Sequence, residues 1–175
     1  MERRAWQIAV ALSSLLSPVS VGDDVATVRL SFEKMHCEEC RGALEASLKL
    51  LKDVKQAAVD GAVATVTVAE GSVPDLAKLR RAVPTDLKLR SVDLTARGTV
   101  AAAKDGLAFT PRGASRGIRL VNPEETPKPE DDRIAQLRQA LGGRNRFEIG
   151  GEWRDDGKAG ERLAVRTFKQ VDWKE

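Results

Sequence analysis

Both cysteines of this chain, and its single histidine, lie in one short stretch, Met35-His36-Cys37-Glu38-Glu39-Cys40. The stretch marks a junction. Before it, Val25, Ala26, Val28, Leu30 and Phe32 mostly alternate with polar residues, which is the period of a half-buried strand. After it, Leu44, Leu48 and Leu51 recur at helical spacing with Ala43 beside them, so a helix is expected over Arg41 to Lys52. A strand that hands over to a helix through two thiols three positions apart leaves few folds open, and it puts both sulfurs where they can close on one soft ion.

The rhythm that follows narrows the choice. Val54 to Val59 reads as a second strand, Asp60-Gly61 as a turn, and Val63, Thr65, Val66 and Val68 as a third strand. Pro74 suits a first helical turn with Ser72 as its cap; Leu76, Leu79 and Val83 line one face, and Pro84 ends the helix. Leu87, Leu89, Val92 and Leu94 make a last strand. The order βαββαβ is that of the ferredoxin-like sandwich, with two helices on one face of a four-stranded antiparallel sheet.

The remainder has another rhythm. Gly98 to Ala103, Leu107 to Thr110 and Ile118 to Val121 read as short strands, and Asn122 to Asp132 as a loop rich in proline and acids. Ile134, Leu137 and Leu141 mark one helix, and Arg146 to Trp153 and Leu163 to Val171 close the chain. Three strands, a helix and two strands match a small OB-like β-barrel. The expected class is α+β. The expected division is 23–96 for the sandwich and 97–175 for the barrel, each folding separately about a boundary near Thr95 to Thr99.

Residues 1–22 differ from both. Met1-Glu2-Arg3-Arg4 is basic, Ala5 to Leu16 is mostly apolar, and Ser17 to Gly22 is rich in small residues, the layout of a signal peptide. A bilayer takes about 20 apolar residues to span, so stable membrane insertion of the mature chain is not expected. Export to a periplasm or the extracellular space is. A net charge of +3, without a basic patch interleaved with aromatics, argues against nucleic acid.

A disulfide between Cys37 and Cys40 closes too short a loop to stabilise the chain much through entropy, which leaves metal binding or thiol redox chemistry. Thiolates are the ligating form, and the positive end of a helix favours them. Soft thiolates select copper(I), zinc, mercury or cadmium over hard cations. Two sulfurs suit a two-coordinate ion, and copper(I) accepts that geometry, whereas structural zinc almost always takes four ligands. Met35 is expected to pack inward as a flexible thioether. His36 is expected to face solvent, with a third bond to zinc or cadmium as its alternative role. Glu38 and Glu39 suit the first helical turn.

Residues 25–94 resemble the heavy-metal-associated domain of copper chaperones, metal-transporting ATPases and periplasmic mercury-binding proteins. The resemblance rests on Met35-x-Cys37-x-x-Cys40 after a first strand, the leucines at 44, 48 and 51, Val54, and the alternating strand Ala62 to Val68. The chain departs from the family in having Lys34 where glycine is usual before the methionine, and Pro84-Thr85-Asp86, with Lys88 just beyond, in the loop before the last strand. The resemblance implies a monomeric carrier or sensor of a soft metal, with Cys37 and Cys40 as ligands, that exchanges the ion with a donor or acceptor protein and catalyses no reaction. Two other readings compete: a thiol–disulfide oxidoreductase using the same pair, and a degenerate domain that serves protein contacts.

Overall fold

The computed structural model describes residues 26–35, 37–69, 71–73, 75–124, 131–142, 145–157 and 160–172. The expected signal segment, 1–22, lies outside them. In chain order the elements are β1 (Thr27–Phe32), α1 (Glu38–Lys49), β2 (Val54–Asp60), β3 (Val63–Val68), α2 (Leu76–Ala82), β4 (Leu89–Ala103), β5 (Gly106–Pro111), β6 (Ile118–Val121), α3 (Arg133–Ala140), β7 (Arg146–Asp155) and β8 (Glu161–Gln170).

The first part forms an antiparallel sheet in the order β2-β3-β1-β4. Alternation decides its inner face. Val28 lies opposite both Val66 and Leu94, and Leu30 opposite both Ala64 and Val92, and all six are buried. Leu44 and Leu48 of α1 and Leu76 and Leu79 of α2 join the same core, and the two helices touch. Fully burying one such leucine is worth about 2 kcal/mol relative to leaving it in water, so these four side chains hold the helices against the sheet.

The second part is a closed barrel of five strands in the order β4-β5-β6-β8-β7, with β7 returning to pair with β4. All its pairings are antiparallel except β6 with β8. Phe109, Phe147, Ile149, Trp153, Leu163 and Val165 are buried in it, and Leu137 of α3 is buried with them. Asp132 caps α3 by accepting the Ala135 N–H at 2.8 Å; Asn122, just past β6, donates to the same carboxylate oxygen at 2.8 Å and accepts the Ile134 N–H at 3.1 Å. The carboxyl of Asp132 is held below its ordinary range, chiefly by the Ala135 N–H.

The two parts share β4. One edge of this strand pairs with β1 over Leu89–Thr95 and then with β5 over Gly98–Ala103, while the other edge pairs with β7 over Asp93–Thr99. The sequence predicts two strands here, Leu87 to Leu94 and Gly98 to Ala103; the structure has one, and the proposed boundary at 96/97 falls inside it. Arg166 of β8 adds a polar tie, reaching Asp93 of β4 at 2.6 Å and Glu152 of β7 at 3.0 Å.

Two helix starts also differ from expectation. α1 begins at Glu38, not Arg41, because Cys37 serves as its cap. α2 is capped by Asp75, which accepts the N–H groups of Ala77 at 2.8 Å and Lys78 at 3.1 Å, so Ser72 is not the cap; Pro74 lies outside the described residues. A carboxylate two and three residues before the exposed N–H groups meets them directly.

Gly98 is where β4 passes from one partner to the next. A Cβ there would lie 2.2 Å from the Thr110 carbonyl oxygen and 2.7 Å from Pro111 Cα, so the backbones meet too closely for any side chain. Gly98→Ala is expected to destabilise the protein by about 2 kcal/mol or more, as overpacking against backbone does; thermal and urea denaturation measure it. The shared strand also makes the two parts unequal as fragments. Residues 23–96 keep all of β4 that pairs with β1, whereas 97–175 lose the segment Asp93–Ala96 that pairs with β7. The first fragment is expected to give a dispersed NMR spectrum, and the second to do so only when lengthened back to Leu89.

Candidate metal centre

β1 ends at Phe32, and the chain turns through Glu33–Cys37 into α1. The turn is held from the side by β4: the Glu33 N–H donates to the Lys88 carbonyl at 3.0 Å. Lys88 also faces Glu33 through its side chain, Nζ to carboxylate 3.9 Å, but with 80% of the lysine exposed such a pair contributes little. Among the described residues no residue other than glycine has a positive φ, so Lys34 occupies its place without the backbone freedom that glycine provides. Met35 is half-buried and packs against the core, as its thioether chemistry led one to expect.

Cys37 has extended backbone angles, φ −118° and ψ 144°, and is the N-cap of α1. Its Sγ accepts the Cys40 N–H at 3.0 Å, and its carbonyl accepts the Arg41 N–H at 3.3 Å. One sulfur thus takes the position that a serine or aspartate oxygen takes in an ordinary cap. Cys40 stands in the first turn, and the two cysteines are joined as a disulfide across 5.3 Å between Cα atoms, both half-buried. Glu38 and Glu39 are exposed in that first turn, favourably placed for the helix dipole, and Arg41 folds back to pair with Glu38. The Nε of Arg41 is shut off from solvent with no hydrogen-bond partner.

In the disulfide neither sulfur has a thiolate lone pair to offer a metal. Reduction frees two thiols at the positive end of a twelve-residue helix, a placement where the helix dipole favours negative charge. The donor set then fits a soft, low-coordinate ion. Among the described residues no group of three or more His, Cys, Asp or Glu side chains converges on a metal-sized space, so neither glutamate is poised there as a third ligand. His36 lies outside the described residues. No helix among the described residues is long and apolar enough to cross a membrane.

The sequence brought out both cysteines, Met35 and the acidic first turn. It did not bring out the capping role of Cys37 or the backing of the loop by Lys88. The first had a signal: two acids directly after a small polar side chain are a common helix start. The second depends on a strand pairing more than fifty residues away in the chain and had none.

The heavy-metal-associated domain family matches residues 29–84. The match runs from within β1 to just past α2, so it takes in the loop, both cysteines, both helices, most of β1 and all of β2 and β3, and leaves the barrel unaccounted for. No curated protein and no solved structure matches the chain. Domains of this family bind heavy-metal ions and exchange them with partner proteins, and the match implies such binding for this segment.

Because one sulfur caps the helix, the choice of replacement matters. Cys37→Ser keeps an acceptor at the cap and is expected to leave the stability of the reduced protein nearly unchanged. Cys37→Ala removes the acceptor and is expected to cost about 1 kcal/mol. Urea denaturation of reduced wild type and both variants distinguishes them.

Proposed function

We propose that this protein is an exported carrier or sensor of a soft metal ion, copper(I) first among them, bound by Cys37 and Cys40. The observation that carries the reading is the placement of the pair, one sulfur at the N-cap of α1 and the other in its first turn, in a loop matched by the heavy-metal-associated family. The ion is cargo. Cys37 and Cys40 would hold it as thiolates, and exchange would proceed as a partner's thiolates enter and these leave. Two ligands in a half-buried loop impose a low barrier to that exchange. Export rests on the layout of residues 1–22.

Zinc and cadmium are weaker candidates, since two sulfurs leave their coordination unfilled and among the described residues no third donor joins them. The strand order of the first part agrees with a ferredoxin-like sandwich, and the barrel order, with its single parallel pair between third and fifth strands, agrees with the OB type. The protein is taken as a monomer that meets a metal-donor or metal-acceptor protein.

The disulfide itself supports a second reading, in which the pair exchanges electrons with other thiols and the protein is an oxidoreductase. Its first nucleophile would be the thiolate favoured by the helix end.

A chelator competition with copper(I) separates the readings. Reduced wild type is expected to bind tightly, the disulfide form and Cys37→Ser/Cys40→Ser not at all, and His36→Ala nearly as well as wild type. Undiminished affinity in the double variant would sink the metal reading. Rapid catalysis of disulfide exchange, together with weak metal binding by the reduced form, favours the oxidoreductase.

A further inference from the structure

The strands β4 and β7 pair only as far as Asp93 and Glu152; beyond that point β7 continues with β8, through to Asp155 opposite Glu161. Where they part, a groove of about 460 Å³ opens between them and is closed at its far side by the end of α2 and the turn after it. Its apolar part comes from Val83, Leu87 and Leu89, each half-buried, and from Trp153. Two arginines stand over it, Arg80 of α2 and Arg90 of β4, both exposed and neither paired with an acid among the described residues. The other charges that line it cancel: Glu152 receives Arg154 at 2.7 Å and Arg166 at 3.0 Å, and its carboxyl is held below the ordinary glutamate range chiefly by Arg154.

We propose that this groove is a docking site for an acidic, partly apolar extended segment of a partner protein. Charge complementarity selects the acid: two unpaired guanidinium groups flank an apolar strip, and each can take a carboxylate in a bidentate bond. The apolar strip selects a chain over a simple anion, which would gain nothing from Leu87 and Leu89. The exposure of both arginines selects a segment lying across the surface over a small enclosed ligand, whose sites hold convergent polar groups inside a cavity. The groove also lies beside the thiol loop. Leu89, which lines it, pairs with Phe32 at the end of β1, and Lys88 next to Leu89 accepts the Glu33 N–H at 3.0 Å. A partner held here lies across β4 from the end of β1, which leads into the loop that carries Cys37 and Cys40. That this partner gives or takes the metal rests on the function proposed above; that the groove binds an acidic segment does not.

The test uses the full chain in its disulfide form without metal, so that its outcome is independent of metal binding. Short peptides alternating Asp or Glu with Leu, Val or Phe are titrated to millimolar concentration and read by NMR shifts and fluorescence anisotropy. Binding is expected to shift Leu87 to Val92 and the Trp153 indole, and to weaken as salt is raised. Arg80→Glu/Arg90→Glu is expected to weaken it about tenfold, as the loss of two exposed charge pairs implies. Arg80→Gln/Arg90→Gln is expected to give a smaller loss, and Cys37→Ser/Cys40→Ser none. Equal binding by both arginine variants, equal binding of peptides with Lys in place of the acids, shifts confined elsewhere, competition by inorganic phosphate at the same concentration, or no binding by any peptide would each overturn the proposal.

Discussion

The register of β4 is the constraint on which the rest depends. Val92 and Leu94 must face the helices to complete the core with Leu30 and Val28. Because side chains alternate strictly along a strand, that choice fixes Ala96, Gly98 and Val100 on the same face, which becomes the inside of the barrel as the partner changes from β1 to β5. A slip by one residue would turn both cores out at once. The two hydrophobic cores are therefore one cooperative problem at this strand, even though every other strand belongs to one part or the other.

The same strand backs the thiol loop, through Lys88 and the pairing of Leu89 with Phe32. The loop needs such backing because its own means are slight. Its ion pair with Lys88 is exposed, none of its described residues has a positive φ, and its cysteines span only one helical turn. What holds it is the end of β1 on one side, the cap of α1 on the other, and Met35 anchored in the core between them.

Much of this was legible in the residues. β1, β3 and the α1 face announce themselves through simple periods, since Val28, Leu30 and Phe32 repeat every second residue and Leu44 and Leu48 every fourth. The motif that carries the site is local, so its cysteines could be named at once. What escaped has a common physical origin. Gly98 looks like a break, because glycine usually weakens a strand; here it permits a backbone approach that only the folded barrel creates. In the sequence Ser72 reads as the cap of α2 with Pro74 in the first turn, whereas Asp75 is the cap, because several residues within one turn are competent to cap and only packing chooses between them. The groove between β4 and β7 arises from the place where a ladder ends, and no residue pattern records that.

The disulfide and the free thiols are alternative states of one pair of sulfurs at the entrance to α1. In the disulfide form the Cys37 sulfur lies at the positive end of α1, where it accepts the Cys40 N–H, and the carbonyl of Cys37 starts the helical hydrogen-bond ladder. Thiolate formation strengthens that cap, because a charged acceptor binds an N–H more strongly than a neutral one. Passing from the oxidised to the reduced form thus requires the sulfurs to separate, while the backbone hydrogen bond from the Arg41 N–H to the Cys37 carbonyl does not involve them. The fold fixes the entrance to α1 and leaves the chemistry at that entrance to be set by the redox state of two side chains.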